Sequence, residues 1–204
     1  LYLAFNAVHT PMQADDVRLK KFAGIENSQR QKYAAMMFAM DEAIGKVVAK
    51  LKDEKLTDNT LLTFISDNGG PTMKGVTING SSNTPLRGSK RTTLEGGIRV
   101  PFFLTWPGKI PANQTDDRPV IQLDLLPTVL AAAGVEAKPE WKLDGVNLLP
   151  YLTGDNKKVT APHEALFWRF GKQMAIRKGD WKLVRYDLAT EDASGISTTK
   201  LYNL

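Results

Sequence analysis

The run Thr60–Gly70, TLLTFISDNGG, constrains the fold more than any other stretch of this 204-residue chain. Its first part, Thr60–Ser66, is mostly apolar and includes β-branched Thr and Ile, and Asp67, Asn68 and a Gly-Gly pair follow at once. A short apolar run that ends in turn residues is typical of a buried strand in a parallel sheet. The pattern therefore predicts an α/β fold organised around this strand.

Asp67 and Asn68 are candidate metal ligands because they follow the predicted strand directly. In an open α/β sheet, the chemistry lies in the crevice beyond the C-terminal ends of the strands. Carboxylate and amide oxygens are hard ligands that suit Ca²⁺ or Mg²⁺. Asn-Gly and Gly-Gly are also common turn dipeptides, so a plain turn is the alternative interpretation.

The composition excludes several classes of function. The chain is 42% hydrophobic and 24% charged, as is usual for a globular domain, and it has no cysteine to form a disulfide or act as a thiol nucleophile. The net charge is +5, but the basic residues are scattered, which favours a solvated surface over a nucleic-acid partner. A basic chain still favours an anionic substrate. No apolar stretch approaches the roughly 20 residues of a membrane span.

His9 follows a first predicted strand, Leu1–Val8, near its C-terminal end. Histidine is the side chain best suited to proton transfer near neutral pH, although a lone histidine is often structural. The polar segment Gln13–Gly24 is predicted to be a surface loop. The opening residues resemble the middle of a strand, and we therefore expect a piece of a longer protein.

Apolar residues from Tyr33 to Leu51 recur at steps of three and four, which predicts a helix with Asn27 or Ser28 as its cap. Strand, helix and strand form a βαβ-like unit. Such a unit implies that Leu1–Val8 pairs in parallel with Thr60–Ser66 through a right-handed crossover.

A long polar loop, 71–97, follows the predicted metal ligands and contains Arg87, Lys90 and Arg91. Loops of this length in compact domains are usually functional or disordered. Lysine and arginine bind tetrahedral oxyanions, as a point charge and as a bidentate fork respectively. An anion pocket and a solvated, flexible loop both remain open.

The second half of the chain contains a predicted strand in 98–106 and a helix within Val120–Ala133 that begins near Asp124. Closely spaced apolar runs with short turns then predict an antiparallel meander. Its predicted strands are Ala165–Phe170, Gln173–Arg177, Trp181–Tyr186 and Leu201–Leu204.

Three segments in order, AFNAVHTP, ISDNGG and PLRGSKRTTLEGGIRVPFFLTWPG, resemble the sulfatase family. QLDLLPTVLAAAG and MAIRKGDWKLVRY resemble the downstream half of the same family. The resemblance implies an alkaline-phosphatase-like α/β sheet with flanking helices, present in part, followed by a small antiparallel β subdomain. It places the C-terminal half of the catalytic domain at residues 1–158 and an incomplete subdomain at 159–204.

The resemblance also implies roles for four residues. Asp67 and Asn68 match the later pair of Ca²⁺ ligands, and Lys90 matches the lysine that binds the sulfate and the bridging oxygen. His9 matches the histidine that contacts the ester oxygen and protonates the leaving alcohol. Residues matched to no catalytic position are Arg87, Arg91 and His163, of which we interpret His163 as structural.

The family pattern is incomplete in this sequence. The chain lacks the upstream Asp pair and the Cys/Ser-x-Pro-x-Arg motif whose Cys or Ser becomes formylglycine. The resemblance therefore implies a missing N-terminal half of the same protein as a partner. The 204 residues alone are expected to be inactive and to bind Ca²⁺ weakly or not at all.

The substrate implied by the family is a sulfated small molecule or glycan, and the expected location is periplasmic or secreted. Two other interpretations remain. A phosphonate or phosphate monoester hydrolase would use the same residues, because sulfate and phosphoryl groups are both tetrahedral oxyanions. A non-catalytic binding domain on the same scaffold would lack the upstream nucleophile altogether.

Overall fold

The computed structural model describes residues 1–73, 77–153, 161–187 and 197–204. They form two compact units, the first made of Leu1–Leu56 and Asn68–Val100, the second of Thr57–Asp67 and Pro101–Leu204. The predicted domain boundary between residues 158 and 159 lies outside the described residues and stays a prediction.

The first unit contains a long helix that the sequence predicted. Asn27 caps its start, because the Asn27 side-chain oxygen accepts from Arg30 N at 2.9 Å. Its apolar face buries Ala35 and Met36. The helices of this unit are α1 (Asp16–Lys21), α2 (Ser28–Asp53) and α3 (Glu95–Ile98). The predicted start of the long helix at Asn27 or Ser28 is confirmed.

The predicted surface loop at Gln13–Gly24 is wrong, because this segment contains α1. Its stability comes from polar contacts, which a search for apolar periodicity does not detect. Asp15 caps the helix by accepting from Arg18 N at 2.9 Å, and Arg18 Nε donates to Glu42 of α2 at 2.8 Å. Hydrogen bonds from Arg18 hold the pKa of the Asp15 carboxyl below its ordinary value.

The predicted strand at Leu1–Val8, with its parallel pairing, is wrong. Residues 1–6 have no regular secondary structure, and Leu1 and Tyr2 are exposed. A strand requires a hydrogen-bonded neighbour, and no described strand pairs with this segment.

The organising strand of the sequence does form, as β1 (Leu62–Ile65), but its partner is β2 (Phe102–Thr105) and the pairing is antiparallel. An apolar run predicts burial and carries no information on the direction of the neighbouring strand. Pro101 lies just before β2, and its carbonyl accepts from Ser66 N at 3.3 Å. The predicted strand in 98–106 is thus confirmed in its second half, while its start belongs to α3.

The rest of the second unit confirms the predicted meander. Its further elements are α4 (Leu125–Ala132), α5 (Leu149–Leu152), β3 (Leu166–Phe170), β4 (Gln173–Lys178), β5 (Trp181–Asp187) and β6 (Ser197–Asn203). The strands β3 to β6 form one antiparallel sheet in chain order. In the part of the chain that the structure describes, no helix has the length and apolar character needed to cross a membrane.

Asp124, just before α4, is fully buried, and its carboxylate connects separate segments of the second unit. Its carboxylate accepts from Ile121 N at 2.9 Å and from Val146 N at 2.8 Å. His163 Nε2 lies 2.9 Å from both carboxylate oxygens, and its side chain is 10% exposed. These contacts agree with a structural role for His163.

Candidate active site

His9 and Lys90 are brought together although 81 residues separate them in the chain. Lys90 Nζ lies 3.3 Å from His9 Nε2. His9 is exposed and Lys90 is half-buried. Both residues belong to the first unit, and the contact joins two of the predicted site residues.

The hydrogen bonds of His9 assign its tautomer. His9 Nδ1 lies 2.7 Å from the carbonyl oxygen of Thr10, which only accepts, so Nδ1 carries the hydrogen. In the neutral ring, Nε2 then accepts from the Lys90 ammonium. A second proton on the ring would place two positive charges 3.3 Å apart, and an anion next to both would offset their repulsion.

Asp67 and Asn68 lie at the end of β1, where the sequence predicted the metal ligands. Gln122 Nε2 donates to the backbone carbonyl of Asp67 at 2.9 Å, which holds the main chain there. The Asn68 amide nitrogen donates to Gly69 O at 3.0 Å, and the amide oxygen is the end that a cation binds. Asp67 belongs to the second unit and Asn68 to the first.

The side chains of Asp67 and Asn68 suit Ca²⁺ in chemical type, but two residues do not reach its coordination number. Both residues offer oxygen, whereas Ca²⁺ takes about six to eight oxygens. Across residues 1–73, 77–153, 161–187 and 197–204, no group of three or more His, Asp or Glu side chains is arranged to hold a metal. Asp67 and Asn68 therefore stay predicted metal ligands.

Gly69 follows these ligands in a position that excludes any side chain. Its N–H donates to Gly97 O at 3.0 Å. A Cβ built on Gly69 would lie 1.7 Å from Gly96 O, far inside van der Waals contact. The two backbone segments touch directly, which explains a glycine here in structural terms.

The described part of the 71–97 loop is held by side-chain to backbone hydrogen bonds. Asn79, which is 4% exposed, donates to Val8 O at 2.8 Å and so fixes the residue before His9. Ser89 is fully buried, and its hydroxyl accepts from Thr72 N at 2.9 Å. Arg87 and Arg91 are exposed, and Arg91 adopts a left-handed backbone with φ of 72°. Asn79 and Ser89 are thus held by specific contacts, whereas Arg87 and Arg91 face solvent, and the anion pocket stays a prediction.

Sequence reasoning missed the side chains that hydrogen-bond the backbone near the predicted site residues. In the first unit they are Asn79, Asn83 and Ser89, and in the second unit Gln122 bonds Asp67 O. The spacing of these residues in the sequence gives no signal of a distant backbone partner.

Comparison with known proteins identifies the family. Residues 1–135 match the family model described as Sulfatase. Residues 88–195 match the model described as N-sulphoglucosamine sulphohydrolase, C-terminal. The chain belongs to the sulfatase family, as the resemblance predicted.

Individual relatives agree with this assignment. The chain is 38% identical over 182 residues to N-acetylgalactosamine-6-sulfatase of Sus scrofa, covering 89% of the chain and 33% of the relative. It is 36% identical over 171 residues to steryl-sulfatase of Homo sapiens, covering 82% of the chain and 28% of the relative. It therefore spans about a third of the length of the curated relatives that it matches.

A solved structure supports the fold. The crystal structure of Ps i-CgsB in complex with k-i-k-neocarrahexaose is 36% identical, with a TM-score of 0.85 over 99% of this chain and 42% of that one. The predicted fold class, a partial alkaline-phosphatase-like α/β fold with a small C-terminal antiparallel sheet, is confirmed.

Proposed function

We propose that these 204 residues are part of an enzyme that hydrolyses a sulfate ester of a small molecule or glycan. The observation that carries the proposal is the contact between His9 and Lys90 in a chain of the sulfatase family. The hexasaccharide bound to the similar protein Ps i-CgsB supports a glycan substrate.

The two side chains have complementary tasks in this reaction. Lys90 places a fixed positive charge where negative charge develops on the sulfate and on the bridging oxygen. His9 delivers a proton from Nε2 to the departing alcohol oxygen, a general-acid contribution of about 10²–10⁴-fold. The sulfate ester itself supplies the anion that makes a protonated His9 beside Lys90 favourable.

Asp67 and Asn68 would hold Ca²⁺ through a carboxylate and an amide oxygen. A bound divalent cation would stabilise charge on the sulfate oxygens and help to activate the nucleophile. The remaining ligands and the nucleophile, a formylglycine, would come from polypeptide outside these residues, because the sequence contains neither Cys nor a Ser-x-Pro-x-Arg motif. The 204 residues alone would then be inactive.

The remaining proposals rest on the family. The missing N-terminal half of the same protein would be the essential partner, and the location would be periplasmic or secreted. Residues 1–158 would belong to the catalytic domain and residues 159–204 to the small β subdomain.

Two measurements on the natural full-length protein test the proposal. Peptide mass spectrometry should find formylglycine in a Cys/Ser-x-Pro-x-Arg peptide upstream of Leu1. Turnover of a sulfate ester should exceed that of the phosphate ester of the same alcohol. Faster phosphate turnover would favour the phosphonate or phosphate monoester hydrolase instead. Absence of both the motif and turnover would favour a non-catalytic binding domain.

A further inference from the structure

The carboxamide of Asn83 is used at both ends by backbone groups. Its oxygen accepts from Gly70 N at 2.8 Å. Its nitrogen donates to Gly70 O at 2.8 Å and to Gly88 O at 3.0 Å. A primary amide offers two N–H donors, and the two carbonyls account for both. The Asn83 side chain therefore links the backbones of Gly70 and Gly88. We call these three hydrogen bonds the bracket.

The two glycines belong to the segments that carry the proposed site in the first unit. Gly70 lies two residues after Asn68, and Gly88 lies two residues before Lys90. Lys90 N also donates to Gly70 O, at 3.1 Å. The backbone that presents the Lys90 ammonium is thus attached to the backbone that presents the Asn68 amide.

Asn83 makes the shortest of the contacts that meet at Gly70 O. Ser89 Oγ donates to the same carbonyl at 3.3 Å and Lys90 N at 3.1 Å, compared with 2.8 Å for Asn83. Ser89 and Lys90 are part of the segment that has to be placed. Asn83 approaches from outside it and is the group that can set its position.

We propose that Asn83 is a positioning residue of the sulfatase site, which fixes the Lys90 ammonium relative to the Asn68 end of the metal-binding turn. The inference rests on the proposed function above. Asn83 acts through Gly70 and Gly88 and does not touch the substrate. Small displacements matter because a shift of about 1 Å at a catalytic group lowers turnover by about 10²-fold.

Two substitutions separate the bonds of the bracket. Asn83→Asp keeps an oxygen to accept from Gly70 N but loses both donors, and it places a negative charge opposite two carbonyls. Asn83→Ala loses all three bonds. Asn113→Asp is the matched control, since Asn113 is an exposed asparagine outside the loop.

The first measurement is steady-state kinetics of the natural full-length protein on a sulfate ester. Both Asn83 variants should lower kcat by about 10–100-fold, with KM changed by less than about threefold. Asn113→Asp should retain the parent kcat. A purely structural role would lower the thermal midpoint and leave kcat per folded molecule unchanged, and that result would overturn the proposal.

The second measurement is amide hydrogen exchange in the same proteins, which requires no enzymatic activity. Exchange at Lys90 N–H should become faster in both variants, whereas exchange at Gly70 N–H should become faster only in Asn83→Ala. Unchanged exchange at Lys90 would overturn the positioning role. If the parent protein has no sulfatase activity, the proposed function is wrong. The exchange data still test whether Asn83 holds the backbone at Lys90.

Discussion

At the residue scale, Lys90 and His9 are linked by one contact, between Lys90 Nζ and His9 Nε2. The lone pair of His9 Nε2 faces the Lys90 ammonium because Nδ1 donates to Thr10 O. In the proposed reaction, the negative charge of a bound sulfate ester would offset the repulsion between the Lys90 ammonium and a second proton on His9.

Substitution of Lys90 by alanine should therefore affect turnover more than binding. We expect kcat of the natural full-length enzyme to fall by about 10²–10³-fold, because a fixed charge aimed at the transition state is lost. The check is steady-state kinetics on a sulfate ester. Lys46→Ala, an exposed lysine of α2, is the control and should leave kcat unchanged. Equal turnover by the two variants would remove Lys90 from the mechanism.

At the residue scale, the sequence predicted the side chains with proposed chemical roles but missed the residues that hydrogen-bond the nearby backbone. His9, Asp67, Asn68 and Lys90 were found through motifs that a family resemblance could match, and their roles stay proposals. Asn79 was missed because its partner, Val8 O, lies 71 residues away. A buried hydrogen bond over that separation depends on the folded path of the chain, which local patterns do not encode.

At the scale of elements, the Asp124–His163 contact joins the start of α4 to the segment that enters β3. The buried carboxylate has three donors among the described residues, two backbone N–H groups and His163 Nε2. Thr128 extends the connection, because its hydroxyl donates to Asp124 O at 2.6 Å and accepts from Leu148 N at 2.9 Å.

His163→Phe should therefore destabilise the protein. The ring remains similar in size, but a buried carboxylate loses a donor, which costs about 1–3 kcal/mol in the free energy of unfolding. Denaturant unfolding measures the change. His9→Phe is a natural control because His9 is the only other histidine and is exposed. An equal loss in both variants would show that the Asp124 contact contributes nothing.

The pair formed by Asp116 and Arg118 gives a pH-dependent prediction. Hydrogen bonds from the guanidinium lower the pKa of Asp116, and Arg118 also donates to Tyr151 O, within α5, at 2.6 Å. The folded-state pKa lies below the unfolded value. The stabilisation is therefore complete above the unfolded value and is lost as the pH falls through the folded one.

Asp116→Asn should lower the free energy of unfolding by at most about 1 kcal/mol at neutral pH, because the pair is partly exposed to solvent. The difference from the parent should shrink as the pH falls below about 3.9, the usual pKa of an unfolded aspartate. Thermal unfolding as a function of pH measures it. The neighbouring, exposed Asp117→Asn is the control, and a gap that persists in acid would contradict the assignment.

The elements divide into those with a strong local signal and those without one. The α2 helix was predicted because its apolar positions follow the helical period and Asn27 is a good cap. The meander was predicted because its turns are short. Strand direction was predicted wrongly for β1, since pairing is decided by which segment lies beside it in the fold.

At the scale of the whole molecule, about a third of the length of the curated relatives is represented here. The 204 residues provide two of the proposed calcium ligands, Asp67 and Asn68, in place of the roughly six to eight oxygens that the ion takes. The calcium site and the reaction are accordingly proposed as properties of a longer polypeptide.

Titration calorimetry can test this dependence directly. The isolated 204 residues should show weak or no heat of Ca²⁺ binding, whereas the natural full-length protein should bind the ion. Asp67→Asn in the full-length protein should weaken that binding by removing a charged ligand. Sub-micromolar affinity in the isolated residues would show that the described ligands are sufficient.

The direct contact between Gly69 and the Gly96 backbone limits how an engineer can change this protein. A saturation library at Gly69 would consist almost entirely of clashing variants, because even a methyl group has no room. Substitutions at Arg87 and Arg91 of the 71–97 loop meet a weaker steric limit, because both residues are exposed. Variation in this part of the fold is therefore better placed at these two positions than at Gly69.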